Sequence, residues 1–292
     1  MTSRTLLPEQ LDPVQTGALL TGGVGPRPIA LASTISPDGV RNLAPFSFFN
    51  AFGGNPPMVA FAPNRRARDG TVKHTYLNAV ATGEFVIAAV TYAMVQQMNI
   101  ASAEYPEAVD EFVKSGFTPR KALRVRPALV EESPFQMECR LHQVLELGGG
   151  PGSGLLLVGE VLAFHAREDC FVDGSLDPGR LDLVGRNGGS FYTRASGAAL
   201  FELPKPAGHP IGFDALPEPL KRSAILTGND LGRLASCLER PDLGHPQTRA
   251  DDPVDAPGLE RAIQRALQRE DLVEAWRLVA LGLRHPLRVW PA

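Results

Sequence analysis

The segment Asn42–Pro63, NLAPFSFFNAFGGNPPMVAFAP, is apolar enough for a hydrophobic core, yet polar residues, prolines and glycines interrupt it. Pro45 lacks a backbone N–H, and the Gly-Gly and Pro-Pro pairs that follow break regular secondary structure. A plain buried strand does not need asparagine, proline and serine ahead of its phenylalanines. The segment therefore predicts irregular, extended backbone that is shaped to hold a ligand.

The flanking sequence predicts short strands with few helices. RPIALASTISPDGVRNLAPF predicts two strands joined by a Pro-Asp-Gly turn, and TVKHTYLNAVATGEF predicts a helix that ends at Gly83. FQMECRLHQVLEL and LLLVGEVLAFH predict two long strands. Because the strands do not alternate regularly with long helices, the pattern favours a small antiparallel barrel over a doubly wound parallel sheet.

The composition changes after Glu202. LPKPAGHPIGFDALPEP is rich in proline, and beyond it strand signals vanish while apolar residues recur at helical spacing. We therefore predict a domain at 1–205, a linker at 206–216 and a helical extension at 217–292. One apolar stripe of the extension is expected to be buried on the barrel or on a partner subunit; it comprises Leu259, Ile263, Ala266, Leu267, Leu272, Trp276 and Val279.

The composition disfavours several classes of protein. With 43% hydrophobic and 21% charged residues, the 292-residue chain can build a sizeable core, and its net charge of -3 disfavours a general nucleic-acid binder. No apolar run has the length of a membrane helix. The N-terminal MTSRTLLPEQLDP lacks a basic-then-apolar signal pattern. We expect a cytoplasmic protein.

Two apparent motifs do not fit the sites that they suggest. Cys139 and His142 resemble a pair of metal ligands, but a regular strand would place their side chains on opposite faces, so a buried core thiol is the better interpretation of Cys139. The glycine run at 148–154 matches neither nucleotide-binding pattern, because no lysine and no helix follow it, and a flexible hairpin turn fits better. We expect no metal site, and three scattered cysteines predict no disulfide framework.

Hydroxyl, amide and cationic side chains concentrate around the opening segment, without paired carboxylates. They are Arg27, Ser33, Thr34, Asn42, Ser47, Asn50, Arg65, Arg66, Lys73 and Thr75. This set suits recognition of a polar, anionic ligand better than hydrolysis. Lys73 and Thr75 begin the predicted helix, where unpaired N–H groups and the positive end of the helix dipole favour phosphate. A flat heterocycle could lie along the open strand edge at 42–50.

Each of these residues also has a structural interpretation. Arg65 and Arg66 are typical of a solvated loop, the phenylalanines at 46, 48 and 49 are typical of a core, and Thr75 could cap its helix. His165 ends a predicted strand and suits either a structural role or a pocket. Only the combination of signals within fifty residues indicates a site.

The order of the motifs resembles the flavin reductase-like, FMN-binding split-barrel family. RPIALAST, NLAPFSFFN, NPPMVAFAP and GTVKHTYLN follow one another as the family's segments do, and EFVKSGFTP, VEESPFQMECRL, LLLVGEVLAFH and LVGRNGGSFYTR continue the resemblance. It covers about Val24–Pro204 and is most similar to the small reductase-type subunits of two-component flavin monooxygenases. The resemblance implies a mainly β (α+β) fold: an FMN-binding split β-barrel with short helices, here followed by a C-terminal helical arm.

The resemblance also implies a cofactor-binding set and no catalytic side chain. Lys73 and Thr75 would hold the FMN phosphate, with help from Arg27. The residues implied to line the flavin are Ser33, Thr34, Asn42, Ala44, Ser47, Phe48, Phe49 and Asn50; those implied to contribute from near a subunit interface are Arg186, Gly188, Gly189 and Tyr192.

Two positions depart from the family pattern. Gly53-Gly54 stands where the family often has small hydroxyl residues, and His74 replaces the aspartate between the lysine and the threonine. His74 cannot act as an anion that caps the helix or orients Lys73.

The implied activity is NAD(P)H-dependent reduction of FMN by a homodimer, with NADH or NADPH as electron donor and a partner monooxygenase as recipient of the reduced flavin. No catalytic dyad is needed, because the cofactor carries the hydride chemistry. Three alternatives stay open: a non-catalytic FMN-binding protein or flavin carrier, an oxidase of the pyridoxamine-phosphate type, and an assembly protein whose helical arm is the functional part.

Overall fold

The computed structural model describes residues 2–203, 205–206, 208–239, 246–284 and 290. Internal contacts divide the chain into two compact units, Met1–Phe201 and Glu202–Ala292. Within the described residues, all strands belong to the first unit, and the second unit is helical. No helix of this described part combines the length and the apolar composition that a membrane crossing requires.

The elements are as follows. The strands are β1 (Ala30–Ile35), β2 (Arg41–Phe46), β3 (Phe49–Gly54), β4 (Pro57–Phe61), β5 (Glu84–Ala89), β6 (Pro119–Arg120), β7 (Leu129–Val130), β8 (Phe135–Leu147), β9 (Gly154–Ala166), β10 (Phe171–Val172), β11 (Ser175–Leu176), β12 (Val184–Arg186) and β13 (Tyr192–Arg194). The helices are α1 (Pro13–Gly23), α2 (His74–Thr82), α3 (Val95–Ala101), α4 (Glu111–Ser115) and α5 (Pro178–Leu181) in the first unit, and α6 (Glu218–Lys221), α7 (Gly228–Ala235), α8 (Ala256–Gln268) and α9 (Leu272–Arg284) in the second.

Seven strands form one sheet in the order β2-β1-β5-β8-β9-β4-β3, and all neighbouring pairs are antiparallel. β2 and β3 lie at opposite ends of this order although they are consecutive in the chain. Only Ser47 and Phe48 separate them, so the link spans at most about 11 Å. The sheet must therefore curl until its two ends approach each other, and the predicted split barrel is confirmed.

Side chains alternate between the two faces of β1, so this strand contributes to two different apolar clusters. Ala30 and Ala32 belong to a cluster with Phe61, whose ring centroid lies 5.3 Å from that of Phe85. Leu31 belongs to a second cluster, which residues of α3 and α4 complete. The ring of Phe85 packs so closely on β9 that a Cβ at position 159, a glycine, would lie 2.3 Å from it.

β8 buries polar as well as apolar side chains. Cys139 lies in the barrel core as predicted, and burial raises the pKa of its thiol. The fully buried Glu138 accepts hydrogen bonds from the backbone N–H groups of residues 123–125 and lies 2.6 Å from His165 Nε2. Burial raises the pKa of the Glu138 carboxyl, but these bonds together hold it below its ordinary value. His165 therefore takes the structural role.

The second unit has a hydrophobic core of its own. The predicted stripe on α8 and α9 packs there against α7, with Leu216 and Trp290 also buried. The stripe therefore needs no barrel surface for its burial, which corrects the expectation stated above. Ile211 and Leu216, both in the segment predicted as a linker (206–216), pack on the same core.

An ion network ties α9 to the segment before α8. Arg277 donates five hydrogen bonds: two to Asp252, two to Glu274 and one to the carbonyl oxygen of Gln247. Arg249 also donates to both carboxylates, with its backbone N–H to Asp252 and with its guanidinium to Glu274. The hydrogen bonds from Arg277 lower the pKa of Asp252 and of Glu274, and these carboxylates raise the pKa of Arg277.

We predict that Arg277→Gln destabilises the second unit by about 3 kcal/mol at pH 7, because Asp252 and Glu274, only 8% and 17% exposed, lose their main partner. Both carboxyl pKa values are lowered by folding, so their contribution is complete above an unfolded-state pKa of about 4 and is lost as the pH falls through the lower folded values. The difference between the parent protein and the variant should therefore shrink at acid pH.

Urea unfolding followed by tryptophan emission measures this effect in the second unit alone, because both tryptophans of the chain, Trp276 and Trp290, lie in its core. Arg261→Gln, at an exposed position of the same helical unit, is the matched control. Equal midpoints for the two variants at pH 7 would contradict a stabilising network.

Candidate functional site

β2 is the last strand at one end of the sheet, so one side of its backbone is open. In an antiparallel pair, every second residue turns its N–H and C=O away from the partner strand. Leu43 does so, and its N–H donates to Glu111 Oε2 of α4 at 3.1 Å. Pro45 has the same orientation two residues later and has no N–H to leave unpaired. The sequence Asn-Leu-Ala-Pro thus keeps an open edge that no further strand can extend regularly.

Four buried polar side chains join β1, β2 and α2. Asn42 Nδ2 donates to Thr34 Oγ1 at 3.2 Å and to Thr75 Oγ1 at 2.9 Å. Asn78 Nδ2 also donates to Thr34 Oγ1, at 3.3 Å. None of the four is more than 7% exposed, and buried polar groups are stable only with such partners. This polar cluster fixes the start of α2 against the open edge.

The N-terminus of α2 is not capped by a side chain. Lys73 occupies the N-cap position and makes no side-chain capping bond. The N–H groups of Tyr76 and Leu77 donate to the Lys73 carbonyl oxygen, whereas those of His74 and Thr75 have no acceptor among the described residues. Unpaired N–H groups at this end of a helix carry partial positive charge and attract anions.

The ammonium group of Lys73 lies beside this helix end. Its Nζ is 5.1 Å from the centroid of the Phe46 ring and has no hydrogen-bond or ion-pair partner in the described part of the chain. Burial lowers the pKa of Lys73, and so does the nearby charge of Arg66, while Glu104 opposes them. A half-buried cation without a partner is costly, and an anion bound next to it would relieve the cost.

Two adjoining cavities lie along this edge and form one cleft. The lysine cavity has a volume of about 110 Å³ and the arginine cavity about 320 Å³. Pro45, Phe46 and Ser102 line both. Of the predicted residues, the lysine cavity contains Asn42, Ala44, Lys73 and Thr75, and the arginine cavity contains Arg27, Ser47, Arg186, Gly189 and Tyr192.

Arg27 is engaged by the protein itself. Its guanidinium donates to the carbonyl oxygens of Thr21 and Val24 at 2.5 Å each, to that of Asn187 at 3.2 Å and to Ser47 Oγ at 3.3 Å. Burial and the charge of Arg186 lower the pKa of Arg27. Arg27 therefore anchors the end of α1. It lines the arginine cavity and not the lysine cavity, so it does not lie beside Lys73 as the resemblance implied.

Arg186 and Tyr192 form the opposite part of the arginine cavity. Arg186 donates to the Tyr192 hydroxyl and, at 2.6 Å, to the Gly189 carbonyl oxygen, and its guanidinium carbon lies 4.6 Å from the Tyr192 ring centroid. The lack of a side chain at Gly188 allows this segment to pack closely on α1, because a Cβ there would lie 2.9 Å from Gly22.

The remaining predicted residues lie elsewhere. Ser33 is fully buried, and its Oγ has no partner in the described structure. Thr34 belongs to the polar cluster. Phe48 is 40% exposed, and Phe49 and Asn50 line a separate, mostly apolar cavity of about 510 Å³. The predicted set therefore divides mainly among the cleft, the polar cluster that supports it and the apolar cavity.

Two residues of the lysine cavity were missed or misinterpreted. Arg66, predicted to be solvated, is only 16% exposed in its side chain, pairs with Glu104 at 3.2 Å and donates to the Val72 carbonyl oxygen at 2.6 Å. Arg65 likewise pairs with Glu146. Glu111 was not predicted from the sequence, because it lies far from β2 along the chain and reaches β2 only through the position of α4. Burial raises the pKa of its carboxyl.

Comparisons with known proteins agree with this architecture. A sequence profile described as a flavin reductase like domain matches residues 23–178. Nitrilotriacetate monooxygenase component B from Bacillus cereus is 30% identical, with a TM-score of 0.65 over 70% of this chain and 100% of that chain. The 2-nitrobenzoate 2-nitroreductase NbaA from Pseudomonas fluorescens is 26% identical, with a TM-score of 0.60 and the same coverage.

A relationship is also evident in sequence alone. An uncharacterized protein of Deinococcus radiodurans is 39% identical over 178 residues, which are 59% of this chain and 76% of that protein. The profile match extends over more than half of the 292 residues and includes the open edge of β2, the polar cluster and the N-terminus of α2. This chain therefore belongs to the flavin reductase-like family and shares its split-barrel fold.

Proposed function

We propose that this chain is an NAD(P)H:FMN oxidoreductase that binds FMN in the cleft. One observation carries the proposal: the ammonium of Lys73 lies beside a helix N-terminus, and neither it nor the first N–H groups of that helix have a partner among the residues that the structure describes. A phosphate group satisfies both at once, because it supplies negative charge and several hydrogen-bond acceptors. The residues present thus fit the flavin cofactor that the family implies.

Each part of the cleft has its own role in binding the cofactor. Lys73 Nζ and the N–H groups of His74 and Thr75 hold the phosphate, and the polar cluster keeps them in place. Pro45, whose carbonyl oxygen faces away from β1, offers open backbone where the lysine cavity and the arginine cavity meet. Ser47, Arg186 and Tyr192 provide polar contacts for the larger end of the ligand.

When bound, the flavin supplies the hydride-accepting chemistry for NADH or NADPH. The protein's part is to bind, to orient and to limit the access of water. The half-buried walls of the cleft, with Phe46 and Pro45 between its two ends, serve these purposes without a general acid or base. This division of labour is consistent with the lack of a predicted catalytic side chain.

The proposed biological setting is a cytoplasmic homodimer that supplies reduced flavin to a partner monooxygenase. The similar protein from Bacillus cereus is named as component B of a monooxygenase, which supports such a partnership. Phe164, 56% exposed, lines the apolar cavity of the first unit, and an exposed apolar surface of this kind supports association with a second copy.

We predict that Lys73→Ala weakens FMN binding roughly ten- to a hundredfold and barely changes riboflavin binding, because the two flavins differ by the phosphate. A charge-assisted hydrogen bond contributes about 1.5–3 kcal/mol, and about 1.4 kcal/mol corresponds to a tenfold change. Fluorescence titration of the flavin-free protein with both ligands measures the difference.

Lys121→Ala, at an exposed position of the same unit, is the matched control and should bind both flavins like the parent protein. Because Lys73 makes no side-chain capping bond, its loss should leave the stability of α2 nearly unchanged. Equal losses for FMN and riboflavin would rule out the phosphate role.

We further predict that NADH or NADPH bleaches the absorbance of bound flavin under anaerobic conditions, and that steady NAD(P)H oxidation in air depends on added FMN. Lys73→Ala should need a higher FMN concentration for half-maximal oxidation. Tight FMN binding without bleaching by either nucleotide would instead identify a non-catalytic flavin-binding protein or flavin carrier.

A further inference from the structure

A polar cavity of about 200 Å³ lies in the second unit and is lined by residues of that unit alone. Its walls are the C-terminal half of α8, the segment 249–253 and the first turns of α9. It contains four arginines: Arg249, Arg265, Arg269 and Arg277. No residue of the flavin cleft takes part, so the cavity requires an explanation of its own.

The acidic groups of this cavity are largely neutralised by two of the arginines. Both oxygens of Asp252 and of Glu274 accept hydrogen bonds from Arg277, and Arg249 donates to each of these residues. These four residues form the ion network that ties α9 to the segment before α8. Asp251 is the third acid of the lining and is exposed.

In the part of the chain that the structure describes, Arg265 and Arg269 have no partner. Neither guanidinium has a hydrogen bond or an ion pair within the described residues, and both are exposed at the mouth of the cavity. They are four positions apart, so they lie on the same face of α8. With only Asp251 to oppose them, the unpaired charge of the cavity is positive.

Two arginines at the end of a helix also stabilise its C-terminal dipole and are often solvated. Here, however, they share a preformed cavity whose walls are fixed by the ion network. The volume is below the roughly 300–1,000 Å³ of sites for drug-sized ligands, so a small ligand fits it. Planar guanidinium groups bind tetrahedral phosphate oxygens with two parallel hydrogen bonds.

We propose that Arg265 and Arg269 bind a phosphate-type oxyanion, which makes the second unit a ligand-binding unit separate from the flavin cleft. The ligand is either the free anion or the phosphate group of a small phosphomonoester. The bound anion pairs both arginines and stabilises the folded second unit by an amount that grows with the ratio of the free anion concentration to its Kd.

The test uses the full-length, flavin-free protein carrying Lys73→Ala, so that phosphate binding at the proposed position in the first unit is weakened. Urea unfolding is followed by tryptophan emission, which reports on the second unit, in millimolar inorganic phosphate or in chloride of equal ionic strength. A second set of measurements uses glycerol phosphate in place of inorganic phosphate. Equilibrium dialysis with radiolabelled phosphate measures the stoichiometry.

We expect one phosphate bound per chain and a higher unfolding midpoint in phosphate than in chloride. Arg265→Gln with Arg269→Gln should lower the affinity by at least about tenfold, whereas Arg261→Gln, at an exposed position of α8 outside the cavity, should not. A stronger response to glycerol phosphate than to phosphate would identify a phosphomonoester as the ligand. Absence of binding, or equal binding by the double variant and the Arg261 control, would overturn the proposal.

Discussion

The two-residue link between β2 and β3 is the constraint on which the first unit depends. These strands stand at opposite ends of a seven-stranded sheet, and Ser47 and Phe48 alone connect them. The link closes the sheet into a split barrel and leaves β2 with an open backbone edge. Phe46, Val59 and Phe61 of this segment are buried in the barrel, while Asn42, Pro45 and Ser47 line the cleft. One segment thus builds both the core and a wall of the cleft.

The cleft combines a rigid support with an unsatisfied charge. Asn42 joins Thr34 and Thr75 by hydrogen bonds that are inaccessible to water, so the start of α2 cannot move relative to the edge without breaking them. Lys73, by contrast, has no partner within the described chain, and burial lowers its pKa. A site that is held in place yet incompletely paired is preorganised for a ligand, because binding supplies the missing interaction without a cost for rearrangement.

Much of the fold and part of the candidate site could be predicted from the sequence, whereas the remaining features depend on long-range contacts. The strands, the barrel class and the position of Lys73 at the start of a helix followed from local pattern and from the order of motifs. The role of Arg27 could not be predicted, because its acceptors are backbone carbonyl oxygens that only the fold brings together. Glu111 was missed for the same reason. The stripe on α8 and α9 was recognised as buried, but periodicity indicates only that a face is covered, not which surface covers it.

The central claim is that the FMN phosphate lies between Lys73 and the N-terminus of α2. A crystal structure of the protein in complex with FMN tests it most directly. We expect a phosphate oxygen within about 3 Å of Lys73 Nζ and of the N–H groups of His74 and Thr75, with the ring system extending toward Arg186 and Tyr192. A phosphate bound in the arginine cavity, with Lys73 still unpaired, would contradict the assignment.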